Sequence, residues 1–227
     1  MLITIQWNME YGIWNMKYVS LGSSCSVAYQ LQKLNKRNIA YPFDWLRCET
    51  LDNITNCFGN NFSDFITSCH IVSKSDKFPL STNDDFPCID NQSKAISLCM
   101  QNKYNMKFYH DFTDGSDMDT IDLKYQRRIN RLLDLIKSDN EICFVRDELK
   151  PNKLNLDMID KFQREIKKIN PNIKFKMIII LHNPTNKEHE LLKLEDKDII
   201  IVNDINPFKD WMRNNLNWLN LFNNFSK

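Results

Sequence analysis

The chain reads as an α/β protein in three layers: a mostly parallel sheet with helices on both faces and a nucleophile at the first strand–helix turn. Three observations predict this. Apolar runs alternate with amphipathic stretches along the second half of the chain (Ile142 to Val145, Leu156 to Ile169, Phe175 to Leu181, Ile199 to Val202), a pattern that builds βαβ units. The run FKMIIIL from Phe175 is continuously apolar, as a strand buried on both faces is. Near the start, Tyr18, Val19 and Leu21 form a short β-type run that Gly22, Ser23 and Ser24 break before an amphipathic segment opens at Cys25. At 227 residues the chain is long enough for a substantial core in one domain. That domain is expected to span residues 16–227, with an irregular insertion at about 67–105.

Taken in order, residues 1–15 contain no basic stretch followed by an apolar core, so they are read as an N-terminal extension and not as a signal peptide. After the turn, Val27, Ala28, Leu31 and Leu34 recur at helical spacing. Ser23 or Ser24 is placed to cap that helix. Cys25 therefore lies at a helix N-terminus, where unpaired N–H groups and the dipole favour thiolate over thiol. The competing reading is inert packing, since cysteine is among the most buried residue types. Next comes YPFDW, a rigid loop in which Pro42 restricts its neighbours. Asp44 there either caps the following helix or orients an imidazole on the same wall as Cys25. Leu51 to Ile66 reads as a helix whose buried stripe is interrupted near Gly59, and Thr67 to Asn105 shows no sustained period.

Order returns at KFYHDF, where Phe108, His110 and Phe112 alternate with Tyr109 and Asp111 along a short extended segment. Asp117 or Asp119 caps a helix from about Thr120 to Lys137. Arg127 and Arg131 lie four apart on it, with Arg128 and Lys124 nearby; the face is either simply solvated or a guanidinium pair for a substrate carboxylate or phosphate. The strands and helices of the second half follow, with a possible capping box at Thr185 and Glu188 and a closing Trp-rich helix from about Pro207 to Phe225 that uses Trp211, Trp218, Leu219 and Phe222.

Bulk properties exclude several classes. Thirty basic and 29 acidic side chains leave a net charge of +1, so no field draws the chain to nucleic acid or to a membrane surface. No apolar run is long enough to span a bilayer. Seven cysteines form no C-x-x-C pair and no Cys/His ladder, which argues against a metal site and against a secreted disulfide framework. No cofactor is expected. The thiols are expected to be reduced, in the cytoplasm (the host's, for a viral source).

Five pieces together carry a resemblance: SLGSSCSVAYQL (from Ser20), YPFDWL (from Tyr41), FYHDF (from Phe108), RRINRLLDLI (from Arg127) and ICFVRD (from Ile142). In this order the chain resembles a family of papain-like cysteine peptidases of unknown function, found in bacteria and in large DNA viruses, including poxviruses and giant viruses of protists. The resemblance implies Cys25 as nucleophile and His110 as its base. It also implies a papain-like α+β architecture, the alternative to the parallel sheet that the alternation predicts. In a doubly wound sheet, ligands bind beyond the carboxyl ends of the strands. Those ends carry Ser24 and Cys25, Arg146 and Asp147, His182 and Asn183, then Asn203 and Asp204, which makes His182 a rival base. The expected chemistry is acyl transfer on a peptide or other acyl-bearing substrate. Asp44 or Asp147 orients the imidazole, Ser24 to Ser26 supply oxyanion N–H groups, and Arg146 with Arg127 or Arg131 holds an acidic substrate group. The alternatives are a non-catalytic host-interaction protein in which Cys25 only packs, and an anion-handling transferase built on the arginines, although the chain has no Gly-rich phosphate loop.

Overall fold

The structure is a computed structural model, and it describes residues 16–75, 80–81, 89–90, 96–182, 190–205 and 210–223. In chain order its elements are β1 (Lys17–Ser20), α1 (Ser26–Lys33), β2 (Leu46–Cys48), α2 (Leu51–Gly59), β3 (His70–Ser75), β4 (Leu80–Ser81), β5 (Ile89–Asp90), β6 (Ser97–Gln101), β7 (Met106–Thr113), α3 (Met118–Lys137), β8 (Ile142–Glu148), α4 (Leu156–Ile169), β9 (Phe175–His182), β10 (Ile199–Asp204) and α5 (Trp218–Asn223). The expected extension at 1–15, the capping box at 185–188, Asn183, His189 and Cys88 lie outside the described residues.

Half of the predicted architecture is present. β1, β8, β9 and β10 form a parallel sheet in that order. Side chains alternate across its pleat, so Tyr18, Cys143, Val145, Ile178 and Ile180 pack with Val27 and Leu31 of α1 and with Trp218 and Phe222 of α5. Val19, Phe144, Met177 and Ile179 point to the other face, toward Ile159, Phe162 and Ile166 of α4. Both faces are covered, which is why the FKMIIIL strand is apolar throughout.

The other half corrects the prediction of one mostly parallel sheet. β2, β7, β6 and β3 form a second, antiparallel sheet of four strands, and the stretch read as an irregular insertion supplies two of them. Its strand β3 is exposed from Ile71 to Lys74, with apolar Ile71 and Val72 as exposed as Ser73 and Lys74, so no apolar–polar alternation marks it. Phe108, Phe112, Leu98 and Met100 of this sheet share one large core with Phe43, Phe58, Phe62 and Phe65 and with Tyr125 of α3.

Helix boundaries follow local chemistry. Asp117 caps α3 by accepting from the N–H groups of Asp119 and Thr120, and Asn155 caps α4 through Met158 N–H. α2 stops at Gly59, short of the expected Ile66. Asn61, Phe62 and Asp64 there adopt positive φ, and the chain turns the rings of Phe62 and Phe65 inward. Among the described residues the expected C-terminal helix is only α5; residues 210–217 are turns and irregular backbone, with Trp211 exposed, and Leu219 of α5 is exposed as well. Among the described residues no helix is long and apolar enough to cross a membrane.

Candidate active site

The turn between β1 and α1 is made by two successive residues in the left-handed region, Gly22 (φ 67°) and Ser23 (φ 71°). A Cβ at Gly22 would meet only ordinary contacts, the nearest being Cys48 Cβ at 3.5 Å. Gly22→Ala is therefore expected to cost about 1–2 kcal/mol through backbone strain alone, read as a lower denaturation midpoint; an unchanged midpoint would contradict the positive φ. Cys25 is the N-cap residue of α1 and is half-buried.

Its neighbours are hydrogen-bonded on each side. Ser23 Oγ accepts the Leu149 N–H at 3.3 Å. Ser24 Oγ lies 2.7 Å from Ser26 Oγ and accepts the Ser26 N–H at 3.4 Å, but α1 starts from Cys25 with no side-chain cap hydrogen bond, so neither expected serine is its N-cap. Ser26 Oγ in turn donates to Asp147 Oδ2 at 2.9 Å.

His110 arrives from the antiparallel sheet. Register between β6 and β7 slips between Leu98, paired with Phe112, and Met100, paired with Phe108. Cys99 alone therefore stands opposite Tyr109, His110 and Asp111. A bulge of this kind re-aims side chains and is common beside active sites. It lets two adjacent polar residues serve different neighbours. His110 Nε2 lies 3.8 Å from Cys25 Sγ, and its ring stands nearly perpendicular to that of Trp45, 6.3 Å between centroids. Asp111 turns into the protein, where it accepts from Lys124 Nζ at 2.6 Å and Tyr125 OH at 2.9 Å. Burial works against that carboxylate, but Lys124, Arg128 and the Tyr125 hydroxyl together hold it below its ordinary range.

The electrostatics around the sulfur differ from the expectation drawn from the helix terminus. Burial, with added repulsion from Asp111 and Asp44, pushes the Cys25 thiol up to about 12. The resting group is therefore a thiol. Asp44 is fully buried and does not orient the imidazole through a hydrogen bond. Its Oδ2 pairs with Arg37 and accepts the Tyr41 N–H, and Oδ1 is buried without a hydrogen-bond partner. Burial raises this carboxyl against the pull of Arg37.

The strand-end rim is not an open substrate surface. Arg146 is fully buried; it donates to Glu148 Oε2 at 2.6 Å, Leu21 O at 2.9 Å and Cys48 O at 3.3 Å. Asp147, also fully buried, is paired with Arg213. Arg146 and Asp147, expected at the substrate rim, are enclosed instead, and they bracket the Leu21–Ser26 turn from opposite faces of the sheet. His182 is not brought to Cys25 by any such contact. Its Nδ1 lies 2.6 Å from Arg213 Nη1 and 3.4 Å from Asp204 Oδ2.

On α3, Arg127 is exposed and Arg131 half-buried, whereas Arg128 is fully buried with its guanidinium 5.1 Å from the Tyr125 ring centre. The inward cations are Lys124 and Arg128, whose charges act on Asp111 and Asp44. Their four-residue spacing on the stripe of Ile121, Tyr125 and Leu132 was a readable sign. Arg213 carried no such sign, because it lies in a stretch whose tryptophans imitate a helix.

These features sit within a chain that has recognisable relatives. No solved structure matches it. A protein of Acanthamoeba polyphaga mimivirus, named only as uncharacterized protein R408, is 33% identical over 213 residues, covering 88% of this chain and 94% of its own. The family described as "Putative papain-like cysteine peptidase" matches residues 16–185, a span that holds both Cys25 and His110, and the chain belongs to that family.

Proposed function

We propose that this protein is a cysteine-nucleophile hydrolase that acts on the carbonyl of a peptide, isopeptide, amide or thioester, with Cys25 and His110 as a dyad. The carrying observation is the 3.8 Å approach of Cys25 Sγ to His110 Nε2, within the looser range of a nucleophile–base pair before substrate binds. Because the thiol rests protonated, the base must remove its proton as the sulfur attacks. The Cys25 proton passes to Nε2, which requires the tautomer with hydrogen on Nδ1. The S–C bond forms while the carbonyl π pair moves to oxygen, and N–H groups of the turn stabilise that oxyanion. Collapse expels the leaving group, which takes the proton from His110 and leaves a thioester on Cys25. Water then attacks the thioester, gives a proton to His110, and the acid departs as that proton returns to sulfur.

Arg127, exposed, and Arg131, half-buried, on α3 are the candidates for holding an acidic substrate group. The packing alternative draws on one observation, the high resting pKa of the thiol. Alkylation with iodoacetamide at neutral pH, mapped thiol by thiol, separates the two. Cys25 is expected to react at least about tenfold ahead of half-buried Cys69, whose thiol is likewise raised to about 12 by burial and Asp111. A Cys25 no faster than Cys69 would defeat the proposal.

A further inference from the structure

The segment after β10 returns to the start of the nucleophile helix. Arg213 is fully buried with φ 56°, a conformation that surroundings must enforce in a residue other than glycine. Its Nε donates to Asp147 Oδ2 at 3.0 Å and its Nη2 to Asp147 Oδ1 at 3.3 Å. Nη2 also donates to Asp204 Oδ2, and Nη1 faces His182 Nδ1. One guanidinium thus joins the carboxyl ends of β8, β9 and β10. Asp147 carries the linkage on, because the Oδ2 that accepts from Arg213 also accepts from Ser26, the residue next to Cys25.

The same segment grips α1 a second time. Gln30, one turn after Ser26 on the same helix face, donates through Nε2 to Met212 O at 2.6 Å and to Asn214 Oδ1 at 3.2 Å. Lys33 donates to that Asn214 oxygen at 3.1 Å. The residues on both sides of Arg213 are therefore tied to the middle of the helix, while the Arg213 side chain is tied through Asp147 to its first turn. Trp218 Nε1 closes the loop by donating to Arg213 O at 2.9 Å.

We infer that Arg213 and Asp147 form a clasp that sets the axial position of α1 and with it the placement of the Cys25 sulfur, so that Arg213 is a positioning residue acting through Asp147 and Ser26. The inference deepens the hydrolase reading and rests on it for its consequence on reactivity. Arg213 suits the task because its rigid fork meets two carboxylates at once, which a lysine ammonium cannot do. Displacing the thiol even slightly from the imidazole slows proton transfer steeply.

The test is alkylation of the full chain by iodoacetamide, followed at each cysteine by peptide mapping, in Ser26→Ala and Arg213→Lys. Each variant is expected to slow Cys25 about tenfold while Cys69 keeps its rate and buried Cys48 and Cys143 stay unreactive. General loosening has the opposite signature: Cys48 and Cys143 would gain reactivity together. That outcome, or unaltered Cys25 rates in both variants, overturns the clasp. Should Cys25 of the unaltered protein react no faster than Cys69, the hydrolase reading fails by itself, and amide exchange then decides the clasp. Protection of the N–H groups from Val27 to Leu31 should fall about tenfold in both variants while α3 keeps its own; unchanged protection overturns it.

Discussion

His110→Ala is expected to slow reaction of Cys25 with an acyl substrate or electrophilic peptide probe by roughly 10²–10⁴-fold at neutral pH, the range that a lost general base gives. The size follows from the state of the thiol. Burial and the two nearby carboxylates lift it to about 12, so without a local base the reactive thiolate becomes tenfold scarcer with each pH unit below that value. The sign in pH is therefore fixed. In His110→Ala the logarithm of the rate climbs with unit slope from neutral pH toward pH 11. The unaltered protein keeps a neutral segment that does not follow this slope, because the proton goes to Nε2 at 3.8 Å and not to solvent. His70→Ala, in exposed β3, is the control and should match the unaltered protein within about twofold. Identical slopes in His110→Ala and the unaltered protein would end the dyad.

Arg146→Met is expected to lower stability by about 3–5 kcal/mol, the cost of leaving a buried charge uncompensated, and the melting midpoint by roughly 10 °C for a chain of this size. Glu148, 1% exposed, would lose the guanidinium 2.6 Å away, and the carbonyls of Leu21 and Cys48 would lose their shared donor. Arg127→Met, on the exposed side of α3, should stay within about 0.5 kcal/mol. Equal effects from the two substitutions would show that Arg146 is not part of the internal frame. A large effect of Arg146→Met on stability, with Cys25 reactivity retained in the folded fraction, would separate framing from substrate binding.

The parallel half of the fold was legible because its information is local. FKMIIIL announces β9, buried on both faces, and the stripe of Ile159, Phe162 and Ile166 sets α4 at the predicted Leu156–Ile169. Asp117 marked a helix start for the same reason, since a cap needs only a side chain within reach of its own next turn. The antiparallel sheet was not legible. β3 is an edge strand whose apolar Ile71 and Val72 are exposed, β6 is buried along almost its whole length, and β2 is three residues long, so none shows an apolar–polar period of two.

At the site, the sequence determined by itself that Cys25 follows a turn at the head of a helix, and that a histidine lies in an aromatic strand downstream. These are properties of spacing and residue type. Only the tertiary structure decided which charged groups are frame and which are site, because burial is a sum over the whole fold. Arg146 and Asp147 read as rim ligands until strand pairing enclosed them. Asp44 read as an imidazole partner until Arg37 took its carboxylate. A two-residue slip in β7, invisible in KFYHDF, aims His110 at the sulfur and Asp111 away from it. Placement across 85 residues of chain is settled by how two sheets pack, which no local pattern encodes.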